Sequence, residues 1–321
     1  MNSSSHSTLS CNYHLKGFNF PEWRANFLTR EISAALISLT IVNLLVSPLT
    51  IFLNTLVILA VETTPQLRNK YNALLARLAG TDIMTGALGQ PLFIAELIYR
   101  LTGSPASEFC AISYAARRFI RTSLMSSLLH LTLISLERYI SIKFPFKYHD
   151  IVTKRRLILS VILAWSLLAF PMILLFFHTN IVTNDVLRSI LLRLTTFPSI
   201  FILIFCRFAT YYEARNQMRK IKTRQISSAA AATFLKERKA FKTTTFVIGV
   251  VLLCYLPNGL FRVVFVPLIS SPETFLAIEG FILTLMFCNS VFNPVIYCAR
   301  SREYRRAFKK LLRRANYVQP V

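Results

Sequence analysis

Not one charged side chain interrupts the stretch Ile32–Val61. Crossing the ~30 Å hydrocarbon layer takes about 20 apolar residues, so this stretch is long enough with some to spare. Further uncharged runs lie at Leu157–Phe177, Thr243–Phe261 and Gly280–Ala299. Three more are interrupted. Leu74–Ile98 holds Asp82, Ile112–Ile142 has arginines near one end, and Val186–Tyr212 carries Arg188, Arg193 and Arg207. In lipid an open strand leaves its backbone groups unpaired, whereas a helix satisfies them internally. Seven helical spans are therefore predicted, in an all-α bundle.

Composition agrees with that reading. Apolar residues make up 54% of the chain, and the mean hydropathy is +0.50, well beyond a soluble domain of this length. Most of the 37 lysines and arginines fall in Glu62–Tyr71, Arg138–Arg156, Arg207–Lys242 and the tail from Arg300. All four lie on one side of the seven-span layout. By the positive-inside rule that side is cytoplasmic, so a plasma-membrane chain has its N-terminus outside and its C-terminus inside. The net charge of +23 borders spans and forms no separate block, which argues against nucleic acid as a partner.

Residues 1–31 are polar, without the apolar core of a signal peptide, and are assigned to an extracellular segment. Asn2-Ser3-Ser4 is a glycosylation acceptor. Cys11 and Cys110 both fall on the oxidising side, as a disulfide or as two free thiols. Cys206, Cys254, Cys288 and Cys298 lie within or beside spans as packing residues. The longest cytoplasmic connection, near Tyr212–Lys236, is flanked by charged helix-formers that extend the fifth and sixth helices into the cytosol. The membrane domain covers 32–299. Beyond it, Tyr304, Ala307, Phe308 and Leu311 recur at helical spacing among basic residues. A cytoplasmic amphipathic helix on anionic lipid is predicted over 300–321.

Polar groups at membrane depth cost free energy unless partnered, and so they mark function. Glu137-Arg138-Tyr139 stands at the foot of the third span, and Arg138 needs a carboxylate. Asp82 is the one acid deep inside a span; there it binds a proton or a cation. Pro257 and Pro294 each remove an amide donor and loosen a helix. Tyr297 lies just past the second of these hinges.

Taken together in chain order, these residues resemble the rhodopsin-like (class A) G-protein-coupled receptors from about Ile32 to Phe308. The markers are Asn54, then Leu78-Ala79-Gly80-Thr81-Asp82, Glu137-Arg138-Tyr139, Trp165 and Pro198. Cys254-Tyr255-Leu256-Pro257 and Asn289 through Tyr297 complete the set. The resemblance implies a ligand captured outside and a heterotrimeric G protein engaged inside. It also implies that Arg138 pairs at rest with Glu137 and with Glu237, whose surrounding segment Lys236–Thr243 is similar to that of amine receptors. Release would let the sixth helix swing about Pro257. By the same resemblance Asp82, Ser127, Asn289, Ser290 and Asn293 form an allosteric Na+ site; the alternative is a protonated Asp82 in a hydrogen-bond net. No other cofactor is implied.

Several positions depart from the family pattern. Tyr255 stands where tryptophan is usual, Val251 replaces a phenylalanine, and Cys206 replaces a tyrosine. The loop around His178–Asp185 contains no cysteine, a feature similar to the melanocortin-receptor branch. Ile120 matches the aspartate of amine receptors, and Phe287 matches the lysine of retinal pigments. On the outer side Arg117 and Arg121 share a helical face, with Arg118 between them, Arg262 on the sixth span and Arg193 on the fifth. Glu96 and Glu279 supply opposite charge. An anionic, zwitterionic or peptide ligand is expected at Glu96, Arg117, Arg121, Arg262 and Glu279; otherwise the arginines reach lipid headgroups.

The rival from another class is a secondary transporter, which calls for inverted repeats and half-helices meeting at midplane. Neither is visible. An enzyme is less compatible still, because the five histidines are scattered and no nucleophile–base pair occurs.

Overall fold

A computed structural model describes residues 29–102, 106–177, 185–223, 228–261 and 271–316. Within these, the side chains at 106–115, 117, 118, 121, 167–177, 185–197, 222, 228–242, 259, 272, 273 and 314–316 lie outside the description. Seven helical rods follow one another in the order read from the sequence. They are Arg30–Thr63, Lys70–Thr102 (with a π turn midway), Ala106–Lys143, Lys154–Phe177, Asp185–Lys222, Ser228–Leu260 and Pro272–Arg300. An eighth helix, Arg302–Asn316, turns off the last rod, and a single turn, Tyr148–Ile151, joins the third to the fourth. No strand occurs among the described residues.

The helix ends are set by local chemistry. Asn69 opens the second rod, its side chain accepting the Asn72 N–H at 2.9 Å, and Ser271 caps the seventh ahead of Pro272. Such caps satisfy amides that have no partner inside the helix. Ser301, in extended conformation, stops the seventh rod and accepts from the Tyr304 N–H at 3.4 Å. That one residue both ends the span and starts the amphipathic helix. Tyr304, Ala307 and Phe308 of this helix are buried, while Arg302, Arg306 and Lys310 are exposed.

The second rod widens to a π-helical turn at Thr85–Gly89, where the Gln90 N–H reaches back to Thr85 O. Pro91 follows immediately. Its ring clashes with the carbonyl four residues earlier in a regular helix, and a wider turn relieves that clash. Gly86, within that turn, lets the first rod approach closely. A Cβ there would meet Ser47 O at 3.1 Å and Ile51 Cγ1 at 3.0 Å on the first rod.

Large apolar residues cover the outside of the bundle, and polar residues are buried among the apolar ones within it. Leu45, Phe52, Phe201, Leu253 and Phe281 are exposed, whereas Asn43, Asn54, Asp82 and Gln90 are wholly buried. A hydrocarbon solvent favours that arrangement. Two apolar clusters fill the bundle. The outer includes Phe93, Ile120, Phe261, Met286 and Phe287, and the inner includes Leu78, Leu131, Val247, Tyr297 and Phe308. The third rod runs through the middle, packing on the second, fourth, fifth and sixth.

Candidate functional site

The polar centre of the bundle gathers around Asp82. Ser290 donates its hydroxyl to one carboxylate oxygen at 2.7 Å, and Asn293 donates an amide N–H to the other at 3.0 Å. Ser127 of the third rod lies near the same carboxylate. Asn54 donates to the Ser290 carbonyl at 2.9 Å, which adds the first rod. Next to this set, Thr85 and Ser123 join the second and third rods hydroxyl to hydroxyl. Three buried amide oxygens, on Asn54, Asn289 and Asn293, have no hydrogen-bond partner. Uncharged oxygens beside a carboxylate are the donor set that a hard cation takes.

At the end of the third rod nearest Lys143, Glu137 and Arg138 form a buried ion pair, with the Arg138 Nε 2.5 Å from Glu137 Oε2. The Tyr148 hydroxyl, from the single turn between the third and fourth rods, donates to the same carboxylate. The Arg138 guanidinium lies over the Tyr71 ring, 4.3 Å from its centroid, a cation–π contact. Tyr71 and Thr244 share a hydroxyl–hydroxyl bond of 2.9 Å, which carries the chain of contacts to the sixth rod. The glutamate expected as a second partner, Glu237, has its side chain outside the described residues. Tyr139 faces the other way, accepting from the Lys143 ammonium at 2.6 Å. That bond raises the Lys143 pKa above the ordinary lysine range.

Tyr297 is buried against Tyr304, their ring centroids 5.6 Å apart, and its hydroxyl has no partner. Tyr304 donates to Asn72 Oδ1 at 3.2 Å, tying the amphipathic helix to the second rod. Burial raises the Tyr304 pKa well above the ordinary tyrosine range, so it stays a neutral donor. Pro257 and Pro294 lie inside continuous helices. One turn or less from Pro257, the Tyr255 hydroxyl donates to the Leu124 carbonyl of the third rod at 3.2 Å. The aromatic beside this proline is thereby tied to the backbone of the central helix.

Around Phe93, Ile120 and Phe287, at the other end of the bundle, the described side chains are mostly apolar. Ile120 is only 2% exposed, packed within the outer cluster. Glu96 forms a buried ion pair with Arg100 one turn further along its own helix. Glu279 is buried as well. Asn43 donates to Thr284 Oγ1 at 2.8 Å and accepts from Gln90 at 3.3 Å, so the first, second and seventh rods share a polar link below the cluster. Arg262 and Cys11 lie outside the described residues, as does Asn2. The side chains of Arg117, Arg121 and Cys110 do so too.

Sequence reasoning missed Tyr71, Tyr148, Arg207 and Arg100 as participants. For Arg100 a signal existed: an acid four residues before a base on one helix is a favourable pair. For Tyr71 and Tyr148 nothing in the local pattern marks a partner on another helix.

A family model described as 7 transmembrane receptor (rhodopsin family) matches residues 53–297. Among curated relatives, the histamine H2 receptor of Rattus norvegicus is 32% identical over 284 residues, covering 82% of this chain and 76% of the relative. That of Homo sapiens is 29% identical over 310 residues, covering 91% and 84%. That of Cavia porcellus is 28% identical over 296 residues, covering 86% and 79%. The transporter alternative and the enzyme alternative both fall with this match. With its seven apolar-faced rods, its buried Glu137–Arg138 pair and the prolines inside its sixth and seventh rods, the chain belongs to the rhodopsin family of seven-transmembrane receptors, a G-protein-coupled receptor that binds an extracellular ligand.

Proposed function

We propose that this receptor presents its N-terminus outside the cell and responds to an anionic, zwitterionic or peptide ligand rather than to a simple amine. The observation that carries this reading is Ile120. At the position where amine receptors of the family place an acid, this chain has an isoleucine in an apolar wall. An ammonium group lowered there would lose its hydration without gaining a counter-charge. The relatives are named for histamine, an amine, so their ligand is not carried over. Arg117, Arg121 and Arg262 are the cations that would meet a carboxylate, with Glu96 and Glu279 as balancing acids.

Inside, Glu137 of the same helix orients Arg138 at rest, and Arg138 ties the third helix to the sixth through, by the family pattern, Glu237. Ligand binding shifts the population toward a state in which the sixth helix has moved outward about Pro257, opening a groove for the G protein. Tyr297, with a buried hydroxyl that lacks a partner, would gain one in that second state. Asp82, Ser127, Asn289, Ser290 and Asn293 would hold Na+, with the partnerless amide oxygens supporting the assignment. A bound Na+ would supply the positive charge that keeps Asp82 ionised and would favour the closed state.

The test is a ligand screen on transfected cells, read by dissociation of heterotrimeric G proteins. Carboxylates, lipid acids, peptides and biogenic amines form its four arms. A response in the first three that Arg121→Ala abolishes is expected. A response confined to amines, or one that Arg121→Ala leaves intact, overturns the ligand class.

A further inference from the structure

The sixth rod carries three consecutive threonines, Thr243, Thr244 and Thr245, and two of them are held by different neighbouring rods. Thr244, buried, meets the hydroxyl of Tyr71 on the second rod at 2.9 Å. Thr245 accepts from Arg207 Nη1 of the fifth rod at 3.1 Å. The other terminal nitrogen of Arg207 donates to Ser135 on the third rod at 3.2 Å, and Ser135 is wholly buried. A basic residue near a span end ordinarily extends its charge to the headgroups. Arg207 does the opposite, aiming its guanidinium inward at two hydroxyls on different helices.

We infer that Thr244 and Thr245 form a two-sided clasp that holds the cytoplasmic half of the sixth helix closed, with Tyr71 and Arg207 as its positioning residues. This rests on the outward swing argued above, and it is distinct from the Glu237 tie. One jaw is also wired to the switch. The Arg138 guanidinium lies on the face of the Tyr71 ring, so a movement of Arg138 displaces the ring whose hydroxyl holds Thr244. The other jaw depends on the fifth rod, where Arg207 follows Cys206, the residue that replaces the family's tyrosine. Outward motion of the sixth helix cannot begin without parting both hydroxyl contacts. Each contact joins residues on different rods, and each is lost by deleting a single oxygen.

Purified receptor in lipid nanodiscs with a heterotrimeric G protein and no ligand gives the test. Thr244→Val with Thr245→Val removes both oxygens at nearly constant shape. Expected is a rise in basal nucleotide exchange of about threefold for one substitution and roughly tenfold for both, the population shift that interhelical bonds of this kind carry in membranes. Tyr71→Phe should reproduce the Thr244 effect, and the serine versions, Thr244→Ser with Thr245→Ser, should return exchange to the wild-type rate. Spin labels at Lys154 and Lys239 supply a readout that needs no G protein. The double valine variant should lengthen their separation, and the double serine variant should not. An unchanged separation in the double valine variant overturns the clasp. So does basal exchange that rises with Glu237→Ala but not with the valines. A lengthened separation without any exchange would leave the clasp standing and overturn the transducer reading instead.

Discussion

Asn54 of the first rod donates its side-chain amide to the main-chain carbonyl of Ser290 on the seventh at 2.9 Å, and the Ser290 hydroxyl passes on to Asp82 at 2.7 Å. A residue on one wall of the bundle thus orients the donor that serves the buried carboxylate. Asn54→Ala removes the bond and strands the Ser290 carbonyl. The expected loss is about 0.6–1.7 kcal/mol, the range measured for interhelical bonds in membranes. Thermal unfolding followed by a thiol-reactive dye on the buried cysteines would show a lower midpoint; an unchanged midpoint would show that the bond is idle.

The Asp82 site makes a salt-specific prediction. Replacing choline chloride by sodium chloride should raise the unfolding midpoint of the wild-type receptor, because a ligand that binds only the folded state stabilises it by mass action. Asp82→Asn should remove that difference. Equal midpoints in both salts for the wild type would leave Asp82 as a protonated member of a hydrogen-bond net.

Two glycines six residues apart in the second rod, Gly80 and Gly86, should behave in opposite ways. At Gly86 an added methyl presses on Ser47 O, Ile51 and Thr50 at 3.0–3.2 Å, and the carbonyl cannot rotate aside. Gly86→Ala should cost about 1–3 kcal/mol. At Gly80 nothing lies within 4 Å, so Gly80→Ala should be neutral or stabilise by up to about 1 kcal/mol through helix propensity. Yield and unfolding midpoint of the two purified variants decide the matter. Equal effects would contradict the packing described at the π turn.

The Glu96–Arg100 pair offers a double-mutant test. Removing one member of a buried ion pair costs about 3–5 kcal/mol, whereas replacing both by apolar residues of similar size is often neutral. Glu96→Leu alone should lower the unfolding midpoint sharply, and adding Arg100→Met should recover most of it. Failure to recover would indicate that Glu96 serves another partner more than it serves Arg100.

The bundle itself was legible because apolar runs of membrane length and the basic loops between them are local properties of the chain. The set around Asp82 was legible through family spacing, and Ser290 and Asn293 do contact the carboxylate. Contacts such as Tyr71–Thr244 and Arg207–Ser135 were not. They join residues 173 and 72 positions apart, and their formation depends on how each helix is rotated, which neither periodicity nor charge specifies when the whole rod is apolar. The π turn at Thr85–Gly89 was missed for a smaller reason. Pro91 signals a break in the regular helix, but not the geometry the chain adopts to accommodate it.

The central claim is that the Arg138 end of the bundle restrains a transducer-activating motion. Its most direct test is basal nucleotide exchange on a heterotrimeric G protein by purified receptor carrying Glu237→Ala. Faster exchange than wild type is predicted. Exchange that stays at the receptor-free rate for wild type and variant alike, across every heterotrimer tried, would contradict it.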